Sequence, residues 1–337
     1  MEARIPPPVE PGMTVAVVSP SYGALAQWPH RAARGVAYLE SLGLRVRSMP
    51  NAALADPHPP WVSAPPEVRA EDLHEAFSDD EVGVVLCGIG GNHSNQVLPH
   101  LDFDLVASHP KVFQGYSDMS VLHWAFLRRA GLATFYGPAL APELGELPSP
   151  LPYTDRWLRA AWFRTEPLRY EPASEWTDEF LDWDTNADVR PRETKPSPGW
   201  RTIREGVAEG PVIGGCLETV CWHVFGSEDW FVPEGAIWLL ETSEEAPSPA
   251  HVDGYLTDLE LAGVFDAAAG LVVGRPMGYR DEDVEVLWEV VEARTAAAGI
   301  PVLAGIDCGH TDPMMTVPFG VPARLDAGAR AFEVLLS

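Results

Sequence analysis

The first half of the chain alternates short apolar runs with longer amphipathic stretches. Residues 14–19, T-V-A-V-V-S, are a continuous apolar run, the pattern of a strand covered on both faces. A helix is predicted from Pro29 to Leu42, then a strand over Leu44–Ser48. Pro66–Phe77 reads as a second helix, with Glu67, Glu71 and Asp72 enriching its first half. Val82–Cys87 is a strand running into the glycine turn G-I-G-G-N-H. A further strand ends at Val112 and Phe113, a helix starts at Asp118, and Ala133–Tyr136 is a last short strand. Strands and helices alternating in this way predict a mostly parallel sheet with flanking helices.

Between Thr165 and Trp200 the pattern breaks. Five prolines and the tryptophans Trp176, Trp183 and Trp200 fall in a run too polar for a core element and too aromatic for an inert linker. Those rings either pack beneath a long loop or stack on a ligand. A second unit begins near Gly210. It holds strands at Pro211–Ile213, Ala236–Leu240, Leu271–Val273 and Val302–Ile306. Helices are predicted from Gly214-Gly215 to about Phe225, near Val252–Leu261 and over Glu282–Ala297. Ala323–Leu336, split by Ala327-Gly328, reads as a closing hairpin. The expectation is a two-domain α/β protein: an N-terminal domain over 1–165, a Trp/Pro-rich connecting loop over 166–209, and a C-terminal α/β domain over 210–337.

One stretch organises the chemistry. In V-F-Q-G-Y-S-D-M-S-V-L-H-W-A-F, Val112–Phe126, Gly115 allows a tight reversal between strand and helix. Met119, Leu122 and Phe126 then recur at helical spacing. Ser117 sits at that turn, either as a plain helix N-cap or as a nucleophile elbow with backbone amides beside its hydroxyl. Met119 stands where a hydrolase G-x-S-x-G would have its second glycine. Ligands of parallel sheets sit at the carboxyl ends of the strands, and both Gly90-Gly91 and Ser117 fall there.

Two more strand ends carry candidates. Glu241 closes A-I-W-L-L and opens T-S-E-E, and His310 lies in I-D-C-G-H-T-D-P just beyond a strand. Ser117, Glu241 and His310 thus fall in the order nucleophile, acid, base. A serine nucleophile needs a base to take its proton, and the base needs an acid to fix its tautomer. Strand-end acids are also commonly just solvated. A metal reading competes at Asp307, Cys308, His310 and Asp312, although that spacing matches no known zinc pattern. The turn at 88–91 lacks G-x-G-x-x-G and G-K-[ST], so it is a weak dinucleotide site.

A net charge of −26 argues against nucleic acid and anionic membrane as partners, since both would repel the chain. No run has signal-peptide or membrane-spanning character, and Cys87, Cys216, Cys221 and Cys308 are scattered in apolar contexts. Reduced thiols in a cytoplasmic protein are the expectation.

Four segments together resemble the LD-carboxypeptidase family of serine peptidases: I-G-G-N-H-S-N at 89–95, G-Y-S-D at 115–118, L-L-E-T-S-E-E at 239–245 and D-C-G-H-T-D-P-M-M-T-V-P-F-G at 307–320. W-T-D-E-F-L-D-W at 176–183, followed by G-W at 199–200, is similar to its microcin C self-immunity branch. The resemblance spans nearly the whole chain. It implies a Ser-His-Glu triad of Ser117, His310 and Glu241, and an oxyanion hole from the backbone amides of Gly91 and Asp118. It further implies a homodimer with neither metal nor cofactor. Trp183 and Trp176 are the candidates for contacting a nucleobase. Cys216 stands where the branch has asparagine, and Glu245 where it can carry lysine, both on the expected substrate side. The implied activity is cleavage of an amide in a peptidyl- or aminoacyl-nucleotide. The alternatives are trimming of murein tetrapeptides and a non-catalytic nucleotide or peptide binder.

Overall fold

The computed structural model describes residues 3–54 and 59–336. Five strands, β1 (Thr14–Val18), β2 (Arg45–Ser48), β3 (Val82–Cys87), β4 (Val112–Gly115) and β5 (Thr134–Tyr136), build a parallel sheet in the order β5-β4-β3-β1-β2. All five residues of β1 are buried, as a central strand covered on both faces requires. β2 is the edge, with Arg45 exposed to solvent and Arg47 partly buried beside Asp79 at 2.9 Å. The helices Pro29–Ser41 and Pro66–Ser78 each begin with proline, whose fixed φ suits the first helical turn.

The remaining strands are β6 (Leu168–Tyr170), β7 (Glu175–Trp176), β8 (Lys195–Pro196), β9 (Arg201–Arg204), β10 (Val207–Cys216), β11 (Ile237–Glu241), β12 (Gly270–Gly274), β13 (Val302–Ile306), β14 (Val317–Phe319), β15 (Pro322–Asp326) and β16 (Ala331–Val334). A second sheet runs β6-β16-β15-β10-β11-β12-β13-β9. Its β10–β13 centre is parallel, and β15 and β16 form the closing hairpin.

The structure differs from the sequence reading most in the following places. Gly214 and Gly215 open no helix. β10 continues through them, because parallel pairing with β11 runs as far as Cys216 opposite Glu241, and the helix starts at Leu217. An unpredicted helix, Pro152–Phe163, buries Trp157, Leu158, Ala161 and Trp162. The segment 166–209 carries four short strands, two of them edges of the second sheet. Finally β14 leaves the C-terminal region and pairs antiparallel with β5, adding a sixth strand to the first sheet. One apolar cluster consequently runs from Val15, Leu86 and Phe113 to Leu239, Leu303 and Leu325, so the two sheets share a core.

The connecting segment is fastened to the first domain by buried charge. Arg31, 1% exposed, donates to Asp188 Oδ2 at 3.1 Å, to Ala141 O at 2.9 Å and to Pro142 O. Arg34 donates to the same carboxylate at 2.7 Å. Burial disfavours a charged Asp188, but the hydrogen bonds from the two arginines outweigh it and hold its carboxyl below the usual range. Its contribution is therefore full above the unfolded carboxylate value and is lost as pH falls through the lower folded one. Asp188→Ala should cost about 3–5 kcal/mol, because it leaves Arg31 buried without its main partner. Urea unfolding at pH 7 checks this, and the deficit should shrink toward pH 3.

Candidate active site

β4 ends at Gly115, and the chain turns through Tyr116 into the single helical turn Ser117–Met119, which runs on into the helix Ser120–Ala125. Ser117 is the first residue of that turn rather than its cap, and it has φ 62°. A serine held in this left-handed region stores on the order of 1–3 kcal/mol of strain. The surrounding packing sustains it: Ser120 Oγ donates to Ser117 O at 2.7 Å and accepts the Cys216 amide at 3.0 Å, joining the turn to β10.

The glycine turn after β3 lies directly against the serine. A Cβ on Gly90 would stand 2.9 Å from Ser117 Cβ, so only glycine admits this approach. Asp118, fully buried, ties the two segments together. Its Oδ2 accepts the amides of His93 and Ser94, each at 2.9 Å, and its Oδ1 accepts the Ser94 hydroxyl at 2.9 Å. Gly90, Gly91 and Ser117 line one cavity of about 410 Å³.

Glu241 is the last residue of β11 and is 1% exposed. Its Oε2 lies 2.7 Å from His310 Nδ1. Its Oε1 accepts the Tyr136 hydroxyl at 2.5 Å, and that hydroxyl in turn accepts the Ser117 amide at 3.1 Å. Gly309 is required here, since a Cβ at that position would come within 2.6 Å of Glu241 Oε2. His310 lines the Ser117 cavity, with the Tyr116 ring 5.0 Å away and edge-on. Its Nε2 makes no aligned hydrogen bond to a described residue, Ser117 included, and stands 3.1 Å from Glu244 Oε2. Burial opposes the imidazolium, yet the charge and hydrogen bond of Glu241, with Glu244 and Glu218 adding to them, raise His310 to about 9.

Of the aromatic candidates, Trp183 lines the cavity and is half-buried. The Arg31 guanidinium lies 4.4 Å from its ring centroid, and Trp28 packs edge-on at 5.1 Å. Trp176 stands elsewhere, with Lys195 and Arg275 over its ring in a separate cavity beside Trp200. Cys216 is buried against Glu218, and Glu245 is exposed outside the lining. None of these three lines the Ser117 cavity.

The cavity instead recruits residues the sequence reading did not single out: Arg31, Tyr116, Glu143, Glu146, Arg192 and Glu244. Glu244 lay within the quoted T-S-E-E run and Tyr116 within G-Y-S-D, but no local pattern marks the other four. At the competing metal cluster, Asp307 is committed to Arg275, Trp200 and the Ala173 amide. Among the described residues no three His, Cys, Asp or Glu side chains converge as metal ligands would.

Such a site, with a strained serine, a carboxylate-paired histidine and adjacent backbone amides, has the parts for nucleophilic attack on a carbonyl. The comparisons agree. Residues 15–137 match the LD-carboxypeptidase N-terminal domain and residues 209–325 its C-terminal domain. The chain is 32% identical to the microcin C7 self-immunity protein MccF of Escherichia coli, over 95% of this chain and 92% of that protein. It is 30% identical to a probable murein peptide carboxypeptidase of Bacillus subtilis, over 96% of this chain and 92% of that protein. A solved structure of MccF in complex with aspartyl sulfamoyl adenosine superposes with a TM-score of 0.88 at 31% identity, covering 99% of each chain. The chain belongs to the LD-carboxypeptidase family and is a hydrolase.

Proposed function

We propose that this protein hydrolyses the amide joining an aminoacyl or peptidyl group to a nucleotide, with Ser117, His310 and Glu241 as its triad. The observation that carries the reading is the meeting of Ser117, His310 and Trp183 in one cavity, at a size suited to a small ligand. Ser117 Oγ attacks the carbonyl carbon while His310 Nε2 takes its proton. Glu241 holds Nδ1–H and stabilises the imidazolium. His310 then returns the proton to the leaving nitrogen as the C–N bond breaks, and water, activated by the same histidine, releases the acyl group. The amides of Gly91 and Asp118 hold the oxyanion, an effect worth on the order of 3 kcal/mol per donor. The Oγ–Nε2 hydrogen bond forms when substrate is bound, as catalytic hydrogen bonds often tighten only then.

The nucleotide half of the substrate is argued from Trp183 and from MccF, whose solved structure holds an aminoacyl sulfamoyl nucleoside. Arg31 backs one face of the indole, which leaves the ring supported as a stacking platform. The likeness to a murein peptide carboxypeptidase favours a second substrate, a murein tetrapeptide. Incubation with an aminoacyl sulfamoyl adenosine and with a murein tetrapeptide, both followed by mass spectrometry, separates the two readings. Cleavage of the nucleoside compound is expected. Cleavage of the tetrapeptide alone would overturn the proposal.

Ser117→Ala should lower kcat by at least about 10³-fold with the fold retained. Trp183→Ala should reduce kcat/KM about 5- to 150-fold for nucleotide-bearing substrates, the equivalent of about 1–3 kcal/mol of stacking, and barely affect one lacking the base. Prolonged EDTA treatment should leave turnover unchanged, as a triad requires no metal. Loss of activity that Zn²⁺ restores would count against the mechanism.

A further inference from the structure

Glu241 and Glu244 approach the two nitrogens of the same imidazole from opposite sides, and they differ in character. Glu241 is buried and shared with Tyr136. Glu244 follows three residues after the strand end, has a side chain 62% exposed, and lines the cavity 3.1 Å from His310 Nε2. Among the described residues its carboxylate pairs with no arginine or lysine. The cations on the cavity wall are already committed. Arg31 is held by Asp188 and lies 3.6 Å from Glu146, and Arg192 is bound by Glu146 at 2.7 Å and by Asp312 at 2.6 Å. Of the other lining carboxyls, Glu179 is paired with Arg190. Burial, with Asp312 adding to it, pushes Glu143 up to about 8, so it carries little charge at neutral pH. Among the described residues, a substrate entering this cavity therefore meets one carboxylate beside the reacting atoms that no arginine or lysine neutralises, and no uncommitted arginine or lysine.

We propose that Glu244 is a specificity residue that selects aminoacyl groups of net positive charge, and that pairing with such a group draws it off His310 and frees the base. The proposal rests on the aminoacyl-nucleotide reading above and names the substrate class for it. In the free enzyme the imidazole lies between Glu241 on Nδ1 and Glu244 on Nε2, with Glu218 behind and the Tyr116 ring edge-on. Asp312, two residues along the chain, is neutralised by Arg192. That arrangement favours the imidazolium, which has no lone pair at Nε2 to accept the serine proton. When a substrate cation takes Glu244, one of the charges stabilising the imidazolium is withdrawn, and the Nε2 proton leaves to solvent. The lone pair then accepts the Ser117 Oγ proton as the Oγ–C bond forms. An acidic aminoacyl side chain is instead repelled by Glu244 and finds no free cation among the described lining residues to replace it.

The test uses lysyl, leucyl and aspartyl sulfamoyl adenosine. Calorimetry with the Ser117→Ala protein, which leaves the compounds uncleaved, should give lysyl over aspartyl by about tenfold or more, with the preference falling at high salt. In Ser117→Ala/Glu244→Gln the two should bind within about threefold of each other. In the unmodified protein the acidic limb of kcat/KM for the leucyl compound reports the free histidine, and it should move to lower pH in Glu244→Gln. A role confined to loop structure would leave that limb in place. Equal or tighter binding of the aspartyl compound, or a lysyl preference that survives Glu244→Gln, would overturn the proposal. If the unmodified protein cleaves none of the three, the aminoacyl-nucleotide reading fails, and the binding comparison still decides the role of Glu244.

Discussion

The Glu241 carboxylate is the joint on which the site depends. One oxygen takes the Tyr136 hydroxyl from the first sheet, and the other takes His310 Nδ1 from the loop after β13. Through Tyr136 the same group reaches the Ser117 amide. A single buried acid thereby sets the spacing between the serine turn and the histidine, although the three come from distant parts of the chain. Burying a charge at 1% exposure is costly unless its oxygens are satisfied, and here two strong donors do so. The shared core beneath keeps that geometry, because neither sheet can shift without disturbing apolar packing common to both.

Much of this was legible in the sequence. The strands of the first sheet and the parallel strands of the second announce themselves as apolar runs, since burial on both faces leaves a continuous signal. Ser117, Glu241 and His310 could be picked out because each follows such a run, and strand ends are where ligands meet a parallel sheet. The helix Pro152–Phe163 was missed because its tryptophans and arginines do not make a clean apolar stripe. The crossing of β14 into the first sheet was missed because V-P-F is too short to carry a period. The glycines at 214–215 misled, as sheet pairing with β11 overrode a local turn signal.

The cavity wall was harder to foresee for a different reason. Arg31, Glu143, Glu146 and Arg192 lie far apart in sequence, and only tertiary structure brings them together. Of the three tryptophans in one polar segment, only Trp183 lines the cavity with Ser117. Trp200 is buried with its Nε1 on Asp307, and Trp176 lies against Lys195. Burial and partner, rather than composition, separate a structural ring from a ligand-facing one.

The acidity of the chain is also distributed with consequence. Buried arginines absorb the carboxylates that hold the connecting segment and the cavity wall, while Glu241 and Glu244 leave His310 strongly basic. The central claim, that Ser117 is the atom acylated during turnover, has a direct measurement. Protein quenched with acid while cleaving an aminoacyl sulfamoyl adenosine should gain the mass of the aminoacyl group, and peptide mapping should place it on Ser117. An acyl group found on any other residue, or undiminished turnover by Ser117→Ala, would contradict the account.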